Sequence, residues 1–301
     1  DPIVVSVGEL TDLCRRGDIN FRFTARSSAL EGIRGHQFVQ KSRGKDYVSE
    51  LAVSIDTLCE GLEVRVQGRV DGVAHVGMAT IVDEIKTLRI PPAQIPQSVA
   101  DGYWHQAMLY AYLLASESGL DRVTVRLCYF HLDEMKEYQQ SRLIDFTELS
   151  QCFVETLLRF TERLLAQRAW EATRINSLAL LGFPHAAYRA GQRDLAVSVY
   201  RSIQANEQLI IQAPTGLGKT IGTIFPAIKG LAPGLRNRVF YLSAKTSTQV
   251  LAEQAVLSIA AKGARIRSIT ISAKSKVCFN PAQPCHPDHC EYAKGYYDRV
   301  D

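Results

Sequence analysis

The sequence has no apolar run approaching the length of a membrane span, and no signal-peptide pattern opens it. Its cysteines number only seven, an odd count, and without secretory features they argue against a disulfide framework. Internal repeats and low-complexity tracts are also absent. These absences disfavour membrane, secreted and repeat-built classes, so we expect a soluble, cytoplasmic protein. The 301 residues, 46% hydrophobic, suffice for two domains.

Acidic residues are scarce in the C-terminal part of the chain. From Ala186 onward, 15 Lys and Arg stand against 7 Asp and Glu, a net charge of +8, whereas residues 1–185 hold 20 against 24, a net −4. Between Lys229 and Lys276 the only acid is Glu253. Such a basic block suits contact with a polyanion, since Lys and Arg displace counterions from phosphates. A solvated basic surface is the alternative of equal weight.

Hydrophobic periodicity predicts an α/β organisation with a division near residues 183–185. Before the division, Ser6 and Glu9 fit the capping box of a first helix. Helices are also predicted over about 27–40, 98–115 and 147–174, with strands around 62–66, 81–85 and 122–130. After the division, a new helical pattern is followed by a strand around residues 209–211.

The stretch IIQAPTGLGKT, after the division, is typical of a phosphate-binding loop. Gly216 and Gly218 allow backbone angles that let successive N–H groups point into one cavity. Lys219 can reach the β- and γ-phosphates, and the Thr220 hydroxyl can ligate Mg²⁺. Ala213 stands where the usual pattern has its first glycine. We predict ATP and Mg²⁺ binding here, and a chance strand–turn–helix is the weaker alternative.

This region resembles the XPD and DinG group of superfamily 2 DNA helicases. APTGLGKT, which includes Thr215, looks like their first motif, and YRAGQ is similar to their adenine-recognising element. The resemblance implies that Gln192 and Arg189 contact the base. Downstream, VFYLSAKT resembles a strand-ending motif that touches the nucleic-acid backbone. The group therefore implies an ATP-driven motor acting on DNA that is single-stranded or forked.

Three of the seven cysteines lie within CFNPAQPCHPDHC, near the C-terminus. Thiolates at such spacing suit a soft metal. The helicase group carries a four-iron four-sulfur cluster after the preceding strand, and the resemblance implies Cys278, Cys285 and Cys290 as ligands. A fourth cysteine is expected, and none follows before the end of the sequence. A zinc site with His286 or His289 as fourth ligand is the competing interpretation, and unligated thiols are the third.

In the first half, VQGRVDGVAHVGMATIVDEIKT places Asp71 at the end of one strand and Glu84 and Lys86 on the next. Glu84 and Lys86, two apart on a strand, project from the same face. Two carboxylates meeting there can hold Mg²⁺ or Mn²⁺, which prefer oxygen ligands. The cation would acidify a water and neutralise charge on a scissile phosphate, with Lys86 orienting the nucleophile. A solvated Glu–Lys pair is the alternative.

This half resembles the RecB-like branch of the PD-(D/E)xK nucleases, which place a helix bearing Gln-x-x-x-Tyr beside the metal site. GYWHQAMLYAYLL supplies Gln106 and Tyr110, one helical turn apart. The branch also carries a histidine ligand on an early helix, and His36 stands at the matching place. Many relatives carry iron–sulfur cysteines of their own; the four scattered here, Cys14, Cys59, Cys128 and Cys152, are interpreted as ordinary core thiols.

Together these patterns predict an α/β chain with a restriction-endonuclease-like domain over residues 1–183. The start of a RecA-like helicase domain follows over 184–301, with an incomplete iron–sulfur region at 274–301. We expect Mg²⁺-dependent cleavage of DNA by the first domain and ATP-driven unwinding by a longer motor. The start without Met and the lack of adjacent acids after Thr220 predict a segment that does not itself hydrolyse ATP. The alternatives are a catalytically silent DNA-binding first domain and a nucleotide-switched zinc scaffold.

Overall fold

A computed structural model of the chain describes residues 2–14, 17–19, 28–232 and 236–299. The chain divides into two compact units, Asp1–Leu164 with Val277–Asp301, and Leu165–Lys276. The cysteine-rich segment thus belongs to the first unit. The predicted domain boundary after residue 183 stays a prediction, because compact units need not coincide with domains that fold independently.

The elements of the described chain run in the order βααβββαββααααα. The strands are β1 (Ile3–Ser6), β2 (Tyr47–Cys59), β3 (Leu62–Val76), β4 (Ala79–Leu88), β5 (Arg122–His131) and β6 (Lys136–Asp145). The helices are α1 (Val7–Leu13), α2 (Ala29–Lys41), α3 (Gln97–Ser118), α4 (Phe146–Ala179), α5 (Gln192–Ala205), α6 (Lys219–Lys229), α7 (Thr246–Ala260) and α8 (Lys274–Val277). A short 3₁₀ turn, Pro92–Gln94, precedes α3.

A six-stranded mixed sheet forms the centre of the first unit, in the order β1-β3-β4-β5-β6 with β2 also paired to β3. Strand β3 changes partner along its length. Its first half pairs parallel with β1 over Val64–Gln67, and only its last five residues, Gly72–Val76, pair antiparallel with β4. Strands β4 and β5 are parallel, and β6 returns antiparallel to β5. The sheet therefore opens between β3 and β4 just before Gly72.

The main hydrophobic core lies where α3 and the first half of α4 cover one face of this sheet. Strand periodicity places Val64, Val66 and Val70 of β3 on the buried face, each at most 1% exposed. Full burial of a side chain of this size contributes about 1.5–3 kcal/mol. A smaller cluster on the other face joins α2 to β4 and β5; its members are Val39, Ile85, Cys128 and Phe130.

Helix α2 approaches β4 closely because it has a glycine at the contact. A Cβ atom on Gly35 would lie 2.2 Å from Cγ2 of Thr87 and 3.2 Å from Cδ1 of Phe130. Distances this short leave no room for a larger residue without a shift of the helix. Gly35 therefore fixes the depth at which the next residue, His36, is held.

The helices and strands predicted for the first unit are present, most with ends displaced by a few residues. Strand β3 continues ten residues beyond its predicted end, so Asp71 lies within this strand and not at its end. Ser6 and Glu9 form the predicted capping box: the Glu9 N–H donates to the Ser6 hydroxyl, and Glu9 accepts from the Ser6 N–H. The start predicted for α2, at residue 27, lies outside the described residues, and Ser28 caps the helix. The longest helix, Phe146–Ala179, extends five residues beyond its predicted end.

The second unit consists of helices with extended segments between them. Its hydrophobic cluster joins the end of α4 to α6 and α7. The strand predicted around Leu209–Ile211 is wrong as a paired strand, since no sheet ladder occurs among the unit's described residues. The segment is unpaired and Ile210 is 99% exposed. A strand requires a neighbouring strand to pair with its backbone N–H and C=O groups, and this segment has none. The RecA-like sheet stays a prediction. Across all described helices, none is long and apolar enough to cross a membrane.

Candidate active site

The opening between β3 and β4 positions the first acidic residue of the site. Asp71 is the last residue of β3 before the strand pairs with β4, so it has no backbone ladder partner on β4. Its Oδ2 atom instead accepts a hydrogen bond from the backbone N–H of Ile85, at 2.6 Å. The side chain thus takes the place that a carbonyl of β3 would fill in a continued sheet, and this fixes Asp71 beside Glu84 and Lys86.

Glu84 and Lys86 lie on the same face of β4, as strand periodicity predicts. Glu84 is only 2% exposed, and its Oε1 atom lies 2.5 Å from Nζ of Lys86. Nζ of Lys86 also donates to Oε1 of Gln106, at 3.1 Å, and lies 4.9 Å from the ring centre of Tyr103. Glu84 is therefore buried and Lys86 half-buried, and the ammonium is held from two sides, unlike the solvated surface pair that was the alternative.

Gln106 and Tyr110 reach the site from α3. The Tyr110 hydroxyl hydrogen-bonds with the side chain of Gln106 and with the backbone of Arg69. Its ring packs on Gly68 of β3, where a Cβ atom would lie 2.6 Å from Cε1 of Tyr110. Gly68 thus makes room for the tyrosine, and the tyrosine and lysine hold Gln106 between them.

His36 enters from α2, and its Nδ1 atom lies 3.3 Å from Oδ1 of Asp71. The six residues predicted as nuclease site residues are thus brought together: His36, Asp71, Glu84, Lys86, Gln106 and Tyr110. Their roles stay predictions. The convergence brings two helices, α2 and α3, to the consecutive strands β3 and β4.

One acidic residue of the site was missed by sequence reasoning. Glu50 of β2 places a carboxylate oxygen within 4.8 Å of ligand atoms of both His36 and Asp71. In the sequence Glu50 is one of two acids in β2, with no motif around it. The only distinguishing feature is conformational: its φ is +54°, in the left-handed region.

A buried ion network on the opposite face of β4 holds the scaffold. Asp83 is fully buried and accepts from Nε and Nη2 of Arg126, at 2.6 and 2.8 Å. It also accepts from Nε of Arg43, just after α2, at 3.4 Å, and from the hydroxyl of Tyr47, at 3.1 Å. Arg43 in turn is paired with Glu137. The network therefore ties the end of α2 to the strand that carries Glu84.

Burial and charge shift the titration of the site residues. Burial raises the pKa of Glu84 to about 7, and the charge of Asp71 adds to this while Lys86 opposes it. Burial alone would lower the pKa of Lys86, but the adjacent Glu84 raises it overall. For His36 the effect of burial is likewise outweighed by the hydrogen bond and charge of Asp71, so its pKa is raised. The raised pKa of Glu84 thus reflects mainly the cost of keeping a carboxylate ionised in a buried position.

The donor set fits a hard divalent cation. Asp71 and Glu84 offer carboxylate oxygens, and His36 offers an imidazole nitrogen, the kinds of ligand that suit Mg²⁺ and Mn²⁺. A nearby cation would also favour the ionised form of Glu84, whose pKa is raised mainly by burial. In the described residues, ligand atoms of His36 and Asp71 lie within 4.8 Å of each other and of Glu50, and Glu84 is not part of this group.

A cavity of about 890 Å³ opens beside the site, within the first unit. His36, Lys86 and Gln106 line one side of it, and α1, α3 and α4 supply other walls. Asp298, from the cysteine-rich segment, lines it as well. Its volume lies in the range of small-ligand sites, and it gives the site access to solvent.

In the second unit, the two glycines of the predicted phosphate-binding loop have positive φ values, and phosphate binding by this loop stays a prediction. Gly216 and Gly218 have φ values of +86° and +82°, and α6 begins at Lys219. Nζ of Lys219 donates to the carbonyls of Ala213 and Pro214, at 3.1 and 2.8 Å, which curls the loop around it. Two hydroxyl-bearing residues flank the loop, the exposed Thr215 and the half-buried Thr220.

Gln192 and Arg189 contact this loop directly. The Gln192 side chain is buried; it accepts from the N–H of Arg189 at 3.1 Å and donates to the carbonyl of Gly218 at 3.1 Å. Nη1 of Arg189 donates to the carbonyl of Gly216 at 2.7 Å. The predicted base-contacting residues are therefore next to the predicted phosphate-contacting ones. Their part in nucleotide binding stays a prediction.

The three C-terminal cysteines do not converge on a position for a single metal ion within the described residues. Cys290 is buried, whereas Cys278 and Cys285 are half-buried. Within the described ranges, the three sulfurs do not lie within 4.8 Å of one another. His286, the proposed zinc ligand, has its Nδ1 3.3 Å from Oδ2 of Asp288. The iron–sulfur cluster and its zinc alternative stay predictions.

The cysteine-rich segment is held instead by hydrogen bonds to the loop after α1. The N–H of Ile19 donates to the carbonyl of Ala293 at 2.9 Å, and that of Tyr297 donates to Gly17 at 2.8 Å. Oδ1 of Asp298 accepts from the Gly17 N–H, and Oδ1 of Asp18 accepts from the Gly295 N–H. These bonds explain why the segment belongs to the first unit.

Comparison with known proteins gives three kinds of match. A probable ATP-dependent helicase of Methanocaldococcus jannaschii, MJ0942, is 35% identical over 68 residues, which are 23% of this chain and 10% of the relative. The chain thus spans about a tenth of that relative's length. The chain in the crystal structure of SSO0001 has 18% sequence identity to this chain, and the match covers 52% of this chain and 77% of that chain, with a TM-score of 0.35. Rai1 of Scheffersomyces stipitis is 16% identical, covering 38% and 33%, with a TM-score of 0.21.

Those two TM-scores are too low to support an argument about the fold. The family comparison is stronger, because the model of the PD-(D/E)XK nuclease superfamily matches residues 23–294, which is most of the chain. The matched range contains all six residues predicted for the nuclease site. The chain belongs to the PD-(D/E)XK nuclease superfamily.

Proposed function

We propose that the first unit is a divalent-metal-dependent DNA nuclease and that the chain belongs to an ATP-driven DNA helicase. The observation that carries the nuclease proposal is the buried arrangement of Asp71, Glu84 and Lys86 at the opening of the sheet. A buried Lys86–Glu84 pair costs desolvation, and functional sites are where such costs are common. Family membership supplies the reaction class, phosphodiester hydrolysis.

His36, Asp71 and Glu84 would hold the cation. When bound, a divalent cation supplies a Lewis acid that acidifies water and offsets charge on the scissile phosphate. In the overall reaction water adds to phosphorus, a P–O bond to the leaving oxygen breaks, and that oxygen gains a proton. The protein's share is to hold the phosphate and the attacking water in line.

Lys86 has the position of the electrophilic and orienting group. Its ammonium is fixed by Glu84 and Gln106, so one N–H remains to contact a phosphate oxygen or the attacking water. A fixed cation stabilises negative charge in the transition state without reorganising first. Gln106 and Tyr110 act as positioning residues, since Gln106 contacts Lys86 and Tyr110 contacts Gln106.

We further propose that Lys219, Thr220 and the glycine loop bind the phosphates of ATP, with Gln192 and Arg189 at the base. The supporting observation is the set of hydrogen bonds that ties Gln192 and Arg189 to Gly216 and Gly218. The match to a probable ATP-dependent helicase supports the assignment to a motor, and the basic C-terminal half supports DNA as partner. Single-stranded or forked DNA is the substrate proposed.

The metal of the cysteine-rich segment is proposed as a four-iron four-sulfur cluster, with zinc as the alternative. In either case the metal ligands include the same three cysteines, Cys278, Cys285 and Cys290. Anaerobically purified protein of greater length would be brown and contain iron under the first proposal. Stoichiometric zinc without iron would favour the second.

The test of the nuclease proposal is cleavage of labelled single-stranded and duplex DNA with Mg²⁺ or Mn²⁺, with and without chelator. Metal-dependent cutting supports it. Salt-dependent DNA binding without cutting would favour a catalytically silent DNA-binding unit. The absence of both would favour a nucleotide-switched metal-binding scaffold.

A further inference from the structure

Glu50 lies directly opposite Asp71 in the β2–β3 hairpin. The antiparallel register pairs Ser49 with Gly72 and Leu51 with Val70, so that Glu50 and Asp71 face each other. This is the single position between Tyr47 and Cys59 where the ladder is interrupted. Residues directly opposite in such a pair have Cβ atoms about 4.5–5.5 Å apart, and like charges there are destabilising.

The side chains converge rather than separate. Ligand atoms of His36, Glu50 and Asp71 all lie within 4.8 Å of one another. The Gln40 amide nitrogen donates both to Oε1 of Glu50, at 3.1 Å, and to the backbone carbonyl of Asp71, at 2.9 Å, which holds the two acids in place. The three groups come from α2, β2 and β3, so the long-range fold creates the cluster.

The negative charge of this cluster is poorly compensated. Lys86, the nearest buried cation, is paired with Glu84. Arg69 approaches Glu50 only to 4.0 Å, with both side chains about half exposed or more, so this pair contributes little. The left-handed φ of +54° at Glu50 is a further cost for a residue that is not glycine. Two carboxylates held together at a cost are what a divalent cation would stabilise.

We propose that Glu50 is a ligand of the divalent cation, which it binds together with His36 and Asp71. The inference rests on the proposed metal-dependent function for its setting, and it adds to the ligand set a residue that the nuclease resemblance did not imply. Carboxylates from two strands and one imidazole form the kind of mixed oxygen and nitrogen site that suits Mn²⁺ and Mg²⁺.

The test is Mn²⁺ binding to the whole chain. Calorimetry and the electron paramagnetic resonance signal of free Mn²⁺ both measure this binding. Glu50→Gln keeps the shape of the side chain and removes its charge, and we expect it to weaken Mn²⁺ binding by about tenfold or more. The matched control is Glu60→Gln, on the same hairpin with a similar φ of +49° but at its exposed tip. Its Mn²⁺ affinity should equal that of the unaltered chain.

Glu50→Gly separates a ligand role from a purely conformational one. Glycine accepts the left-handed φ without strain, so the metal-free protein should unfold at the same temperature or higher. Its Mn²⁺ binding should nevertheless be as weak as that of Glu50→Gln. Unchanged Mn²⁺ affinity in both variants would overturn the proposal, as would an unaltered chain that binds no Mn²⁺.

The readouts also separate this inference from the nuclease proposal. If the unaltered chain binds Mn²⁺ through Glu50 but does not cut DNA, the nuclease proposal fails and the ligand assignment stands. If the chain cuts DNA and Glu50→Gln binds Mn²⁺ as tightly as the unaltered chain, the ligand assignment fails alone.

Discussion

The carboxylate of Asp71 accepts a hydrogen bond from the backbone N–H of Ile85, at 2.6 Å, across the point where β3 and β4 separate. An unpaired N–H at this depth would cost about 1–3 kcal/mol, so the bond contributes to the fold as well as to the site. It fixes Asp71 against the backbone that joins Glu84 to Lys86. The site is therefore assembled by a side chain that substitutes for a missing stretch of sheet.

Removal of the Lys86 ammonium should abolish cleavage. For Lys86→Ala we expect DNA cutting to fall by about 100-fold or more, because a fixed charge at the phosphate is lost. Nucleotide binding should be unaffected, since Lys219 lies in the other unit. The measurement is cleavage of labelled DNA with Mn²⁺, with the exposed Lys136→Ala as control. Full cutting by Lys86→Ala would refute the role assigned to this lysine.

Substitution of Gly35 should displace the histidine that follows it. In Gly35→Ala the new Cβ would meet Cγ2 of Thr87 at 2.2 Å, so we expect a loss of about 1–3 kcal/mol in the free energy of unfolding. Mn²⁺ affinity should fall as well, because His36 moves with the helix. Thr87→Ala in the same chain removes the clashing methyl group and should restore most of the stability. Thermal melting and calorimetry measure both effects.

A methyl group on Gly68 should disturb the positioning of Gln106. The Cβ of Gly68→Ala would lie 2.6 Å from Cε1 of Tyr110, so the ring must move away and its hydrogen bond with Gln106 is strained. We expect kcat to fall several-fold with little change in KM. Gly44→Ala, where no atom lies within 4 Å of the new Cβ, is the matched control. Equal kcat values for the two variants would argue against a positioning role for Tyr110.

The metal-free protein should lose stability as pH rises from about 5 to 8. The pKa of Glu84 is about 7 in the folded state against an ordinary value of 4.5, so the folded state binds the proton more tightly than the unfolded state does. This proton binding stabilises the folded state at low pH, and the stabilisation is lost as pH rises through 7. The cost of ionisation is up to about 3 kcal/mol in the free energy of unfolding. His36, whose pKa is also raised, loses its stabilising contribution in the same direction.

Denaturant unfolding at a series of pH values measures this dependence. Glu84→Gln should remove most of it, because the amide does not titrate. The affinity for Mn²⁺ should rise with pH over the same range and level off above about 7, since the cation competes with the proton on Glu84. A metal-free stability that is flat between pH 5 and 8 would contradict the prediction.

Nucleotide binding should depend on Lys219 independently of the nuclease site. We expect this chain to bind ATP but not to hydrolyse it, because no two acids are adjacent after Thr220 to place the attacking water. Lys219→Ala should remove binding of a fluorescent ATP analogue while DNA cutting stays unchanged. DNA-stimulated ATP turnover that Lys219→Ala abolishes would show the prediction of a non-hydrolysing chain to be wrong.

One expectation from the sequence was not matched by the structure, and a second one stays a prediction. The apolar segment at 209–211 has strand composition but no partner, and a strand exists only when a second segment supplies its hydrogen bonds. The three C-terminal cysteines are close in sequence, yet their sulfurs do not converge in the part of the chain that is described. Short spacing brings backbones together, but the direction of each thiol depends on local packing.

The sequence by itself determined the relationships that follow from a single element's period. Glu84 and Lys86 share a face because strands repeat every two residues, and Gln106 and Tyr110 share one because helices repeat every 3.6. Tertiary structure decided the rest. The opening of the sheet at Asp71, the depth of His36 and the placement of Glu50 opposite Asp71 depend on which distant segments pair and in what register. Register is set by packing over the whole sheet, and no short pattern records it.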